Sequence, residues 1–158
     1  MEVYLVQHGE AKAEAEDPER PLTDHGRDEV RRVARRAVLL GSPLAEIRHS
    51  GKLRARQTAE LMAEHFWPSR GVREVGYLAP NDDPGTARSE LEAAREPLML
   101  VGHLPHLSRL ASSLLVNDPG KEIIRFRMGA IVCLAKAEGG WALHWILTPE
   151  LAGVLTVP

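Results

Sequence analysis

The sequence predicts an α/β fold: a three-layer α/β/α sandwich with a mostly parallel central sheet and an antiparallel edge hairpin. Three observations predict it. Short apolar runs alternate with stretches of helical period along the chain. Two of those runs, Val3-Tyr4-Leu5-Val6 and Leu98-Met99-Leu100-Val101, have the unbroken apolar character of strands buried on both faces. The last two apolar runs flank Gly139-Gly140, the mark of a tight hairpin.

The first strand, Val3 to Val6, runs into Gln7, His8 and Gly9, where glycine frees the backbone to turn. Ala11 to Arg20 is polar, lacks an apolar period and reads as a surface loop. Thr23 is a suitable N-cap for a helix over 24–40, with Val30, Val33, Ala34, Ala37, Val38 and Leu40 on its inner side and Gly41 as a stop. The arginines of that helix, interleaved with Asp24, Asp28 and Glu29, read as a solvated face. Ile47 to Ser50 is a second brief strand, Leu53 to His65 a helix, and Val72 to Val75 a third strand. A loop over 80–85 precedes a short helix over 86–95, and Leu98 to Val101 repeats the opening device, ending in Gly102-His103. A helix over 105–115 follows, its proline placed in the first turn. Strands over 130–135 and 141–147 close the pattern. Alternation there places Trp145 and His144 on opposite faces, and no metal role is assigned to His144.

The chain has 158 residues, enough for one domain that buries about two-thirds of its unfolded surface. With 44% apolar and 27% charged residues and a net charge of −2, nothing draws it broadly to nucleic acid or to an anionic membrane. No apolar run approaches the ~20 residues of a membrane span, and the N-terminus lacks the features of a secretory signal. The one cysteine, Cys133, lies in an apolar run and reads as a buried thiol. Cytoplasmic localisation is the expectation.

If the two His-bearing strands are parallel neighbours, His8 and His103 leave the same edge of the sheet, where open α/β folds bind ligands. The second strand leads to Arg54 and Arg56 at a helix start, which already favours anions. Two histidines and a guanidinium make a pocket for a tetrahedral dianion, since arginine gives bidentate, charge-assisted bonds to phosphate oxygens. No Gly-rich phosphate loop or magnesium-type carboxylate cluster accompanies them, so no metal and no cofactor is expected. His103 and His106 lack a third ligand for zinc; His106 is placed at the pocket mouth. His25, His49 and His65 read as surface or helix-end histidines.

Four spaced motifs then carry a resemblance. Gln7-His8-Gly9-Glu10, Arg20-Pro21-Leu22-Thr23 with Gly26, Ser50 with Arg54-Ala55-Arg56-Gln57-Thr58-Ala59, and Gly102-His103-Leu104-Pro105 resemble the histidine phosphatase superfamily (phosphoglycerate mutase-like), within it the SixA-type phosphohistidine phosphatases. The resemblance runs nearly end to end and implies one histidine-phosphatase-like domain over 1–158 without a cap insertion. It implies that His8 is the nucleophile, that Arg54 clamps the phosphoryl oxygens and that His103 donates a hydrogen bond to them. Gln7 and Gly9 complete the phosphate-binding set. Thr23 and Gly26 are expected to be architectural, Gln57 and Thr58 to support the pocket from behind, and Arg56 to lie at the surface.

The chain departs from the family pattern at Gln7, where the resemblance expects arginine. Losing a charge-assisted bond costs about 1.5–3 kcal/mol, which slows the enzyme or leaves a phosphate-binding module. Arg20 is the cation put forward to replace the charge. The acid that family phosphomonoesterases use is missing at Gly76-Tyr77-Leu78-Ala79-Pro80, leaving Glu10, Asp82 or Asp83 as stand-ins. Imidazole is a ready leaving group, so the expected substrate is a phosphohistidine-bearing protein, such as a histidine phosphotransfer domain, with inorganic phosphate as product. The alternatives are a broad small-molecule phosphomonoesterase and a catalytically weakened phosphate-binding module.

Overall fold

The computed structural model describes residues 1–154. Its elements alternate as the sequence predicts: β1 (Glu2–Gln7), α1 (Asp24–Ala37), β2 (Glu46–His49), α2 (Leu53–Phe66), β3 (Val72–Glu74), α3 (Pro84–Ala93), β4 (Leu98–Gly102), α4 (His106–Val116), β5 (Ile131–Ala137), β6 (Gly140–Leu147) and α5 (Pro149–Val154). The six strands form one sheet in the order β3-β2-β4-β1-β5-β6. The first four in that order are parallel, and β5 and β6 are antiparallel. The fold class is the predicted one, with its edge hairpin.

Strand alternation divides the core into two layers. Tyr4, Val6, Met99, Val101 and Cys133 face Val30, Val33, Ala34, Ala55, Ala59 and Met62 of α1 and α2. Val3, Leu5, Leu98, Leu100, Val132 and Leu134 face Leu91 of α3 and Leu107 and Leu110 of α4. Each fully buried aliphatic side chain contributes about 1.5–3 kcal/mol. The central strands β1 and β4 are thus held on both faces, which makes their carboxyl ends a rigid platform.

Three boundaries differ from the sequence reading. The first helix stops at Ala37, because the amides of Leu39 and Leu40 turn back to Arg36 and Ala37 in a tightened last turn. Val38 and Leu40, expected inside, are exposed. The third helix starts two residues early, since Asp83 caps it by accepting from the Gly85 amide at 2.8 Å and Pro84 fits the first position. Pro105 is the N-cap of α4 and stands outside it. Helix α5 was not predicted; Thr148 starts it by accepting from the Leu151 amide at 3.2 Å. No helix of the described residues is long and apolar enough to cross a membrane.

Candidate functional site

Three strand ends build the site. Gln7 pairs with Gly102 across β1 and β4, and His49 pairs with Val101 across β2 and β4. His8, His103 and Ser50, each one residue further on, therefore leave the sheet side by side. The His8 amide donates to the Gly102 carbonyl at 3.1 Å, so the ladder holds to the last residue. The two imidazole centroids lie 5.1 Å apart at 51°. Both side chains are nearly enclosed, His8 being 9% and His103 2% exposed.

His8 Nδ1 lies 2.7 Å from the Gly9 carbonyl oxygen. A carbonyl only accepts, so Nδ1 carries the proton and the lone pair of the neutral ring sits on Nε2. Burial pushes the His8 pKa down to about 4; the Gly9 bond opposes this, and the charges of Arg54 and Arg20 add to it. His103 Nε2 lies 2.6 Å from Ser50 Oγ, while its buried Nδ1 has no partner. Burial, then His8, Arg54 and Lys52, hold its pKa down to about 3. At neutral pH both rings are uncharged.

Arg54 is the second residue of α2, whose N-cap, Lys52, makes no side-chain cap and whose first turn holds no acidic residue. That helix start is open to an anion. The Arg54 Nε is buried without a partner, and burial followed by the Arg20 charge lowers its pKa. Arg20 sits in the left-handed region at φ 51° and donates from Nε to the Lys12 carbonyl at 3.1 Å. Among the described residues, neither arginine pairs with a carboxylate. Gln7 ends β1, with its Oε1 buried and unpartnered.

Behind these groups runs a chain of hydrogen bonds. The Gly9 amide donates to Thr58 Oγ1 at 3.0 Å, and that hydroxyl donates to the Arg54 carbonyl at 2.8 Å. Gln57 accepts from the Leu22 amide at 2.8 Å. Thr23 caps α1 through the Gly26 amide at 2.9 Å, as expected, and its hydroxyl donates to the Glu10 carboxylate at 2.8 Å. Arg56 is exposed and pairs with Glu60.

The three candidate acids are engaged elsewhere. Glu10 holds the Thr23 hydroxyl, Asp82 accepts from the Ala79 amide at 2.9 Å, closing the turn before α3, and Asp83 caps α3 through the Gly85 amide. Two histidines were misplaced by the sequence reading. His106 is fully buried, not at the pocket mouth, and neither ring nitrogen has a partner. His49 is also buried, and its Nδ1 accepts from the Gly51 amide at 3.0 Å. Ser50, read as the end of the second strand and a member of the third motif with no role of its own, is the side chain touching His103; its place between a strand end and a glycine was the available signal. Together the groups gather an unprotonated imidazole nitrogen, a second imidazole and the charges of Arg54 and Arg20 at one edge of the sheet.

The family model of the histidine phosphatase superfamily, branch 1, matches residues 3–77, the span that holds Gln7, His8, Arg20 and Arg54. An uncharacterized protein of Picosynechococcus is 36% identical over 139 residues, covering 83% of each chain. The chain belongs to the histidine phosphatase superfamily. Within it the likeness is to the SixA type. The phosphohistidine phosphatase SixA of Escherichia coli is 28% identical over 155 residues, 94% of each chain. The solved structure of the protein histidine phosphatase SixA complexed with tungstate superposes with a TM-score of 0.84 at 27% identity, covering 95% of this chain and 98% of that one. The alpha-ribazole phosphatase of Shigella flexneri shares the fold at a TM-score of 0.73 and 14% identity, over 94% of this chain and 97% of that one. Membership of the superfamily and the likeness to SixA support a phosphatase, a hydrolase.

Proposed function

We propose that this protein is a cytoplasmic phosphohistidine phosphatase, one domain over 1–158, that works without a metal and passes through phospho-His8. The observation that carries this reading is the bond from His8 Nδ1 to the Gly9 carbonyl, which leaves Nε2 as the free base at neutral pH. In the first step the substrate enters with its phosphoimidazole ring protonated on the nitrogen that does not bear phosphorus; Nε2 attacks phosphorus, the bond from phosphorus to that ring breaks, and the imidazole leaves neutral, keeping that proton. In the second step water attacks phosphorus, the bond to His8 Nε2 breaks, and the proton of the water goes to the released phosphate. Arg54 and His103 hold the phosphoryl oxygens, with Gln7 and the Gly9 backbone at its rim.

The engagement of Glu10 and Asp82 favours this substrate over phosphate monoesters. An alkoxide needs an acid to leave, whereas imidazole, with a conjugate acid near pH 7, does not. An open flank favours a protein substrate. Leu104, the residue after His103, is 39% exposed and borders a groove of about 330 Å³ with Pro105, Ile124 and Phe126. Arg20 supplies the charge that Gln7 lacks, because its charge reaches both His8 and Arg54 and, among the described residues, it pairs with no carboxylate. The uncharged Gln7 beside His8 favours one second reading, a phosphate-binding module with weakened catalysis.

Single-turnover dephosphorylation of a phosphohistidine protein tests the proposal, with wild type, Gln7→Arg and His8→Ala side by side. Activity in wild type that His8→Ala abolishes is expected. Phosphate binding without turnover in wild type, restored by Gln7→Arg, would select the binding module. Turnover that survives His8→Ala would overturn the mechanism.

A further inference from the structure

Strict alternation in the last strand puts Trp145 and His144 on opposite faces, and Trp145 packs on Tyr4 with ring centroids 5.9 Å apart. The hairpin register breaks that rule. Cys133 pairs with Trp145, but the next residue, Leu134, pairs with Leu143, so His144 is the extra residue of a β-bulge. A bulge re-aims a side chain, and here it brings His144 onto the face of Cys133. His144 Nδ1 lies 4.0 Å from Cys133 Sγ and 3.2 Å from Glu2 Oε1. The three donor atoms, from β1, β5 and β6, all lie within 4.8 Å of one another.

We propose that Glu2, Cys133 and His144 form a binding site for zinc(II), a clip across three strands at the sheet edge. The donor set is one carboxylate oxygen, one thiolate and one imidazole. That mixture suits a borderline cation and excludes the hard, all-oxygen preference of magnesium and calcium. Tetrahedral zinc with bonds of 2.0–2.3 Å needs its ligands about 3.3–3.7 Å apart; the imidazole–carboxylate pair stands at 3.2 Å and the imidazole–thiol pair at 4.0 Å, each within a few tenths of an ångström of that range. The carboxylate is already oriented. Its other oxygen, Oε2, accepts from the Tyr4 hydroxyl at 2.5 Å and from the Ser42 amide at 3.4 Å, which leaves Oε1 for the ion. Such outer bonds are the usual support of a metal ligand. The His144 side chain is 51% exposed, which gives entry and room for a water as fourth ligand. Binding replaces the thiol proton, which passes to solvent.

Glu2 opens β1 and His8 follows its end, so the site stands roughly 20 Å from the nucleophile. The clip stabilises the edge of the sheet and takes no part in phosphoryl transfer.

Cobalt(II) titration of chelator-treated full-length protein tests the site, read by the near-ultraviolet thiolate-to-cobalt absorption. The expected result is saturation at one equivalent in wild type and no such band in Cys133→Ser. His144→Ala, at a half-exposed position that leaves the core intact, should weaken affinity at least tenfold. Zinc should raise the Tm of wild type and leave that of His144→Ala unchanged. Absence of the band in wild type overturns the proposal. So does a His144→Ala protein that matches wild type in cobalt affinity and zinc response, since the ion would then sit on other residues.

Discussion

Gly9 and Thr58 are joined by a 3.0 Å hydrogen bond from the backbone amide of the first to the side chain of the second. Because the same hydroxyl donates to the Arg54 carbonyl, the loop carrying His8 and the helix carrying Arg54 are set against each other by one buried side chain. Thr58→Val keeps the volume and removes that link. An unpaired buried amide costs about 1–3 kcal/mol, and the Tm should fall by roughly 2–4 °C for each kcal/mol in a domain of this size. Dephosphorylation should slow with kcat affected more than KM, as stopped-flow kinetics and thermal denaturation would record. An unchanged kcat would mean that the relative position of the two elements is fixed elsewhere.

Gln7→Arg restores a guanidinium at the end of β1, beside His8. If its bonds strengthen in the transition state, they add about 1.5–3 kcal/mol, and the single-turnover rate should rise roughly tenfold to a hundredfold. A rate equal to wild type would show that the missing charge is already supplied.

Arg20→Ala should lower the rate of wild type about tenfold, consistent with loss of one charge-assisted contact. The loss should shrink in a Gln7→Arg background, because the two cations then serve the same oxygens. Strictly additive effects in this double-mutant cycle would place Arg20 outside the shared role.

Acid should destabilise the free protein through His8 and His103. Their folded pKa values are lowered to about 4 and about 3, against 6.5 when exposed. Below pH 6.5 the unfolded chain therefore binds more protons than the folded one, and stability falls as pH drops toward 4. Urea denaturation at steps from pH 7 to pH 4 should show the decline, and His103→Asn should flatten it. In NMR titrations both rings should stay neutral above pH 5.

Gly26 is a matter of close approach. A Cβ there would lie 2.2 Å from the Glu10 carbonyl oxygen, so Gly26→Ala must push the loop after His8 away from α1. Overpacking of this kind costs about 1–3 kcal/mol or more. Gly76→Ala, with open space around it, is the matched control and should leave the Tm unchanged. Equal Tm values for both variants would refute the steric argument.

The sequence by itself determined the layered α/β fold and the pairing of His8 with His103. Both follow from local chemistry. Apolar runs such as Val3 to Val6 declare buried strands, and a histidine directly after each strand must leave the sheet at its carboxyl end once the strands are parallel. A cation at a helix start was legible for the same reason, though only the motif singled out Arg54 over Arg56, and Thr23 was legible as a cap. The order and spacing of the motifs pointed to the family. Tertiary structure alone decided the rest. The bulge that turns His144 toward Cys133 arises from register between β5 and β6, which no single strand encodes. His106 and His49 are polar by residue type but lie where packing encloses them. The contact of Ser50 with His103 joins segments far apart in the chain, as does the bond by which Thr58 carries out the support expected of it. Period and propensity report what one segment prefers; which side chain meets which is settled when the segments pack.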